Sequence, residues 1–187
     1  VTSRPYPRRM IRFILSAALL LSGTPAMSAP LPPVVAKVIA HRGASGERPE
    51  HTAAAYHLAI QQGADFIEPD LVMTRDGHFV VRHENEIGGT TDVADRLEFA
   101  DRRTTKAIDS VEVVGWFTED FTLAELKTLR ARERLPLLRP GNTAWDGQEP
   151  ILTFNEVIAI AREATARTGR VIGLAPELKH PSYFAGI

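Results

Sequence analysis

Apolar and polar positions alternate between two periods along this chain, and the switches mark its elements. Val34 to Ala40, VVAKVIA, is short and β-rich and predicts a buried strand. Pro49 to Gln62 follows a helical pattern, with Thr52 as the N-cap and Gly63 as the stop. Ala64 to Met73, ADFIEPDLVM, predicts the next strand, TRDG at 74–77 a turn, and Phe79 to His83 a further strand. Residues 84–121 show little periodicity and many charges, so they predict mostly loop. Thr122 opens a helix, TLAELKTLRARE, with Glu125 in the capping-box position. Leu135 to Gln148 is rich in Pro and Gly and predicts another loop. Thr153 opens a second boxed helix with Glu156, Gly169 ends it, and Val171 to Leu178 predicts a last strand.

Strand and helix alternate around one long excursion, which argues for an α/β fold with a parallel sheet. A complete (β/α)₈ TIM barrel takes about 250 residues, and this chain has 187. The expectation is therefore a smaller α/β fold or the N-terminal half of a barrel.

Composition narrows the function. With 44% hydrophobic residues, 24% charged residues and a net charge of −1, nothing pulls the chain toward nucleic acid or an acidic surface. The first 28 residues stand apart. Arg8, Arg9 and Arg12 precede the apolar run FILSAALLL, and a small-residue stretch, Ala26-Met27-Ser28-Ala29, follows. That order is a signal peptide, with 1–9 as an upstream extension if Met10 is the true start. The run of about nine apolar residues is short of the roughly 20 that span a bilayer. With no cysteine, neither a disulfide nor a lipid-modified N-terminal cysteine is available. The expectation is an exported protein without a stable membrane anchor, periplasmic in a Gram-negative source and secreted otherwise.

The chemistry gathers at strand ends. Glu68 and Asp70 are two apart, so an extended strand puts both on one face, with Pro69 pointing away. Two acids on one face of an apolar strand are costly to bury unpaired. The spacing recurs at Glu177 and Lys179. His41 and Arg42 end the first strand and His83 ends FVVRH. Active sites of parallel α/β folds lie at the strand C-terminal ends. Glu68, Asp70 and Glu177 offer three hard oxygen donors, which suits Mg²⁺ or Ca²⁺ better than zinc. Arg42 and Lys179 can neutralise phosphate oxygens, and His41 and His83 supply two imidazoles for proton transfer. Two histidines, a metal and two cations describe phosphodiester cleavage.

The stretches HRGASGERPEHT, GADFIEPDLVMTRDGHFVVRHE and PELKHP, in that order from His41 to Pro181, resemble the glycerophosphodiester phosphodiesterase family, especially its exported bacterial branch. The resemblance implies a (β/α)₈ barrel that hydrolyses glycerophosphodiesters to glycerol 3-phosphate and an alcohol. It implies a domain over 34–187, truncated, with an insertion at about 84–148. It also implies a divalent metal on Glu68, Asp70 and Glu177, an acid/base pair in His41 and His83, phosphate contacts by Arg42 and Lys179, and a substrate contact or loop role for Glu50. Glu84 and His51 depart from the family's usual Asp and Asn, and His51 is read as a variant at the helix entry. A small-molecule glycerophosphodiester is the expected partner. A phospholipase D-like enzyme acting on lipid head groups and a non-catalytic exported phosphodiester-binding protein are the alternatives. Trp116, Phe117 and Trp145 in the excursion suit either a packed insertion or a lid over the substrate.

Overall fold

In the computed structural model, residues 35–187 are described. The signal peptide expected at 1–28 lies outside them. The first strand, β1 (Ile39–His41), pairs in parallel with β2 (Phe66–Glu68) in the register His41 opposite Glu68. After Pro69 the same run continues as β3 (Asp70–Met73). β4 (Phe79–Val81) returns antiparallel to β3. At the other end of the chain, β7 (Gly173–Leu174) pairs in parallel with β2, and β8 (Glu177–Leu178) in parallel with β3. A proline within the β2–β3 run and another within the β7–β8 run, at 69 and 176, interrupt the ladders, because neither can donate a backbone hydrogen.

Two helices cover the parallel array. α1 (Ala53–Gln61) is capped by Thr52, whose Oγ1 accepts from Ala55 N at 3.1 Å. α3 (Phe154–Thr168) starts with a complete Thr153–Glu156 capping box and ends on Gly169 at φ 69°. Between helices and strands lies one apolar core, in which Tyr56, Ile60, Ile67, Leu71, Val81 and Val157 are buried. The α/β pattern and both long helices agree with the sequence expectation.

The 84–148 segment departs from it. Residues 84–121 hold a hairpin of β5 (Thr104–Ile108) and β6 (Val111–Gly115), turning on Asp109 and Ser110 at positive φ. The helix expected from Thr122 is only α2 (Leu123–Leu126). Its continuation is drawn into bridges, Thr91 with Ala131 and Arg130 with Pro150. A second apolar core forms here around Val93, Phe99, Phe121, Leu126 and Ile151. Trp116 packs on it and donates from Nε1 to Phe99 O at 2.7 Å, and Phe117 is buried. These two aromatics serve packing rather than a lid. A short helix, α4 (Pro181–Phe184), closes the described chain, and none of the described helices is long and apolar enough to cross a membrane.

One correction concerns direction. The sequence reading treats four strands as ending on a common face. β4 runs the other way, because a five-residue connection, 74–78, can join only antiparallel neighbours. His83 still reaches that level. Val81 lies opposite Leu71, and Arg82 N donates to Asp70 O at 3.1 Å, so β4 ends beside the start of β3.

The loop after β1 depends on Gly43. Its φ is 81°, and a Cβ there would lie 2.8 Å from Ala55 C and 2.9 Å from Ala55 Cβ. Gly43→Ala is expected to lower stability by at least ~2 kcal/mol, from left-handed backbone strain and collision with α1. Urea denaturation of the two proteins checks this.

Candidate active site

The site is organised by β2–β3. Glu68 ends β2 and Asp70 begins β3, and both are buried, 7% and 0% exposed. Glu177 enters from β8 directly opposite Asp70. One carboxylate oxygen from each of the three lies within 4.8 Å of the others. Glu68 Oε1 and Asp70 Oδ1 are buried without a hydrogen-bond partner. Buried carboxylate oxygens that lack a donor call for a cation, so this set fits a divalent metal with oxygen ligands. Burial and the neighbouring Asp70 charge push the Glu68 carboxyl up to about 7. Burial also raises Asp70, but the hydrogen bond from His51 and the nearby charges outweigh it and hold Asp70 low.

The cations expected from the sequence meet these acids. Arg42 adopts φ 62°. Its backbone N donates to Glu68 Oε2 at 2.8 Å, its Nε lies 3.2 Å from Asp70 Oδ2, and its Nη1 donates to Glu50 Oε2 at 3.1 Å. Lys179 Nζ lies 2.8 Å from Glu177 Oε1 and 3.7 Å from Asp70 Oδ1. His41 is exposed and shares its register position with Glu68 across the β1–β2 ladder. His83 Nδ1 is 2.6 Å from Glu84 Oε1, which leaves Nε2 as the free ring nitrogen. All eight predicted site residues therefore converge on one end of the parallel strands. The concavity lined by His57, Gln61, Gly63 and Arg170 lies at the opposite end, before β2 and β7, and holds no carboxylate cluster.

Three neighbours have roles that the sequence does not disclose, although His51 stands out in it as a variant. His51, at φ 60° and fully buried, places Nε2 3.0 Å from Asp70 Oδ2 and Nδ1 2.8 Å from Tyr56 OH. Burial lowers its pKa to about 4 against the pull of Asp70 and Glu50. The neutral ring donates from Nε2 to the carboxylate and accepts the Tyr56 hydroxyl at Nδ1, which orients Asp70 and leaves Oδ1 free. Arg82 is fully buried and donates from Nη1 to Glu50 O at 3.2 Å, fixing the loop that carries Glu50. Arg134, from the 84–148 segment, pairs with Glu50 and with Glu84. The only local signal for His51 was its place in PEHT. Arg134 lies 84 residues from Glu50 and gave none.

Comparison with known proteins follows this geometry. The model of the glycerophosphoryl diester phosphodiesterase family matches residues 41–183. A glycerophosphodiester phosphodiesterase of Arabidopsis thaliana is 47% identical over 145 residues, covering 78% of this chain and 37% of the relative. One from Haemophilus influenzae is 35% identical over 153 residues, covering 77% and 39%. Among solved structures, an Oleispira antarctica phosphodiesterase in complex with the product sn-glycerol-3-phosphate superposes with TM-score 0.52 at 31% identity, covering 77% of this chain and 44% of that one. A glycerophosphodiester phosphodiesterase from Agrobacterium tumefaciens gives TM-score 0.54 at 24% identity, covering 77% and 47%, a likeness of fold. The chain thus spans about two-fifths of the length of these curated relatives, and the fold is part of a (β/α)₈ barrel.

Glu50 yields a pH prediction. Burial raises its pKa, but Arg134, His51 and Arg42 outweigh burial and bring it down to about 2 from 4.5. A depressed carboxyl stabilises the folded state above its ordinary pKa, and that contribution is lost as pH falls from about 4.5 toward 2. Glu50→Gln is expected to cost roughly 3 kcal/mol near neutral pH, with the cost shrinking across that acid window. Denaturant unfolding of both proteins at a series of pH values measures it.

Proposed function

This chain belongs to the glycerophosphoryl diester phosphodiesterase family, and on that premise we propose that the protein hydrolyses glycerophosphodiesters to glycerol 3-phosphate and an alcohol. The observation that carries the reading is the three-carboxylate cluster, within 4.8 Å, flanked by Arg42 and Lys179 and approached by two histidines.

A divalent cation, Ca²⁺ or Mg²⁺, on Glu68, Asp70 and Glu177 would supply Lewis-acid stabilisation of charge on the phosphate oxygens. Arg42 and Lys179 bind the phosphate, the first through its planar fork and the second as a point charge. Arg42 is already aligned by Glu50 and Asp70, so little order is lost when substrate arrives. His41 takes the proton from a substrate glycerol hydroxyl as that oxygen bonds to phosphorus. His83 gives a proton to the departing alcohol oxygen as its bond to phosphorus breaks. The product of this first step is a cyclic phosphate. Water opens it with the histidine roles reversed: His83 takes the water proton and His41 returns one to the glycerol oxygen. Glu84 on Nδ1 fixes the His83 ring so that Nε2 does this work. Export rests on the N-terminal sequence and is part of the same proposal.

Hydrolysis of glycerophosphocholine, followed as release of glycerol 3-phosphate with and without EDTA, tests the reading. Turnover that EDTA stops is expected, and His41→Ala and His83→Ala should each lose on the order of 10²–10⁴-fold in kcat. Robust turnover in either variant would sink the acid/base assignment. Binding without turnover, unchanged by EDTA, would instead make the protein a phosphodiester-binding one. Release of choline from phosphatidylcholine, leaving phosphatidate, without turnover of glycerophosphocholine would point to phospholipase D-like head-group chemistry.

A further inference from the structure

Arg134 joins the two sides of the site. Its Nε and Nη2 donate to Glu50 Oε1 at 2.9 and 2.6 Å, and its Nη2 lies 2.5 Å from Glu84 Oε2. The remaining oxygen of each acid faces a residue that the proposed reaction uses. Glu50 Oε2 accepts from Arg42 Nη1 at 3.1 Å, and Glu84 Oε1 meets His83 Nδ1 at 2.6 Å. A continuous run of five side chains thus leads from His83 through Glu84, Arg134 and Glu50 to Arg42. Two arginines and two glutamates alternate along it, so the four balance in charge. The two carboxylates also hold the Arg134 guanidinium charge more firmly than burial disfavours it.

The position of Arg134 is built into the backbone on either side of it. Arg132 N donates to Thr90 O at 2.9 Å, and Glu133 N to Asp146 Oδ1 at 2.7 Å. Glu133 is buried; its two carboxylate oxygens accept from Leu135 N at 2.9 Å and Asn142 Nδ2 at 2.7 Å. The same segment holds the loop after β1, since Arg139 Nη1 and Asn142 Nδ2 both donate to Ser45 O, at 2.8 and 3.2 Å. Arg48 lies 4.0 Å above the Trp145 ring. A segment that reads as an excursion is docked on the site at each of these points.

Resting on the reaction proposed above, we propose that Arg134 is a positioning residue: by bridging Glu84 and Glu50 it holds the proton donor His83 and the phosphate-binding Arg42 in one frame. Its planar fork spans two carboxylates at once, which the single ammonium of a lysine cannot reproduce. Without it, Glu50 Oε1 and Glu84 Oε2 lose the cation they share, Glu84 is free to turn toward water, and His83 loses the acceptor that fixes its ring. Misplacement of that order costs catalysis far more than it costs binding.

The test uses Arg134→Gln, Arg134→Lys and Arg134→Ala in the purified protein, with glycerophosphocholine as substrate. In Arg134→Gln, kcat should fall roughly 100-fold, with most of the loss in kcat rather than KM. Arg134→Lys should recover only part of it. Millimolar guanidinium, below denaturing levels, should restore turnover to Arg134→Ala and leave the parent protein unchanged. A second readout needs no turnover: in ¹⁵N-histidine-labelled protein without substrate, the Nδ1–H signal of His83 should move or vanish in Arg134→Gln. If that variant does not fold, Arg134→Lys, which keeps the charge, carries both readouts. Parent-level kcat would overturn the proposal. So would a loss of kcat with an unchanged His83 signal and no response to guanidinium. If the parent protein releases no glycerol 3-phosphate, the reaction reading fails, and the His83 signal alone decides the bridge.

Discussion

Glu68 and Asp70 flank Pro69, at the end of β2 and the start of β3; both are buried, and each leaves an oxygen without a donor. The rest of the site is arranged around that constraint. Two carboxylates in so small a volume repel one another and lose hydration, and either effect alone is costly. The chain answers with the Arg42 backbone N–H on Glu68, and with the Arg42 guanidinium, His51 and Lys179 on Asp70. The compensation is incomplete, which is why Glu68 holds its proton up to about 7. A divalent cation would complete it, and its positive charge would in turn stabilise charge on a phosphate.

Around these acids lies a shell whose members come from distant parts of the chain. The β3–β4 hairpin brings back Arg82, which secures the Glu50 carbonyl, and His83, which faces Glu84. The 84–148 segment brings Arg134 and Asn142 against the loop after β1. That segment has a core of its own, so its side chains are presented from a packed unit. Precision of this kind matters because a catalytic group that is free to rotate loses most of its advantage. Glu50 is where the two shells meet, accepting from Arg42 with one oxygen and from Arg134 with the other.

What the sequence disclosed was what depends on local period. The two-residue spacing put Glu68 with Asp70 on one face, and Asp70 and Glu177 then face each other across neighbouring strands. Thr52, Thr122 and Thr153 cap helices as their patterns required. The direction of β4 is legible too, in the short Thr74–His78 connection, whereas the polar residues at a strand's end carry no strand sense. Harder were α2 and the β5–β6 hairpin. Long-range bridges at Ala131 and Arg130 override a good helical pattern, and the hairpin turns on Asp109-Ser110 without a glycine. His51 and Arg134 were beyond reach, because their roles are set by partners 19 and 84 residues away.

Calorimetric titration of Ca²⁺ and of Mg²⁺ into the purified protein, beside Glu68→Gln and Asp70→Asn, tests the centre of this picture most directly. A metal site on the buried acids predicts saturable binding of at least one of the two ions at one site, lost in both variants. Absence of binding by both ions, or binding of equal strength in the variants, would contradict it.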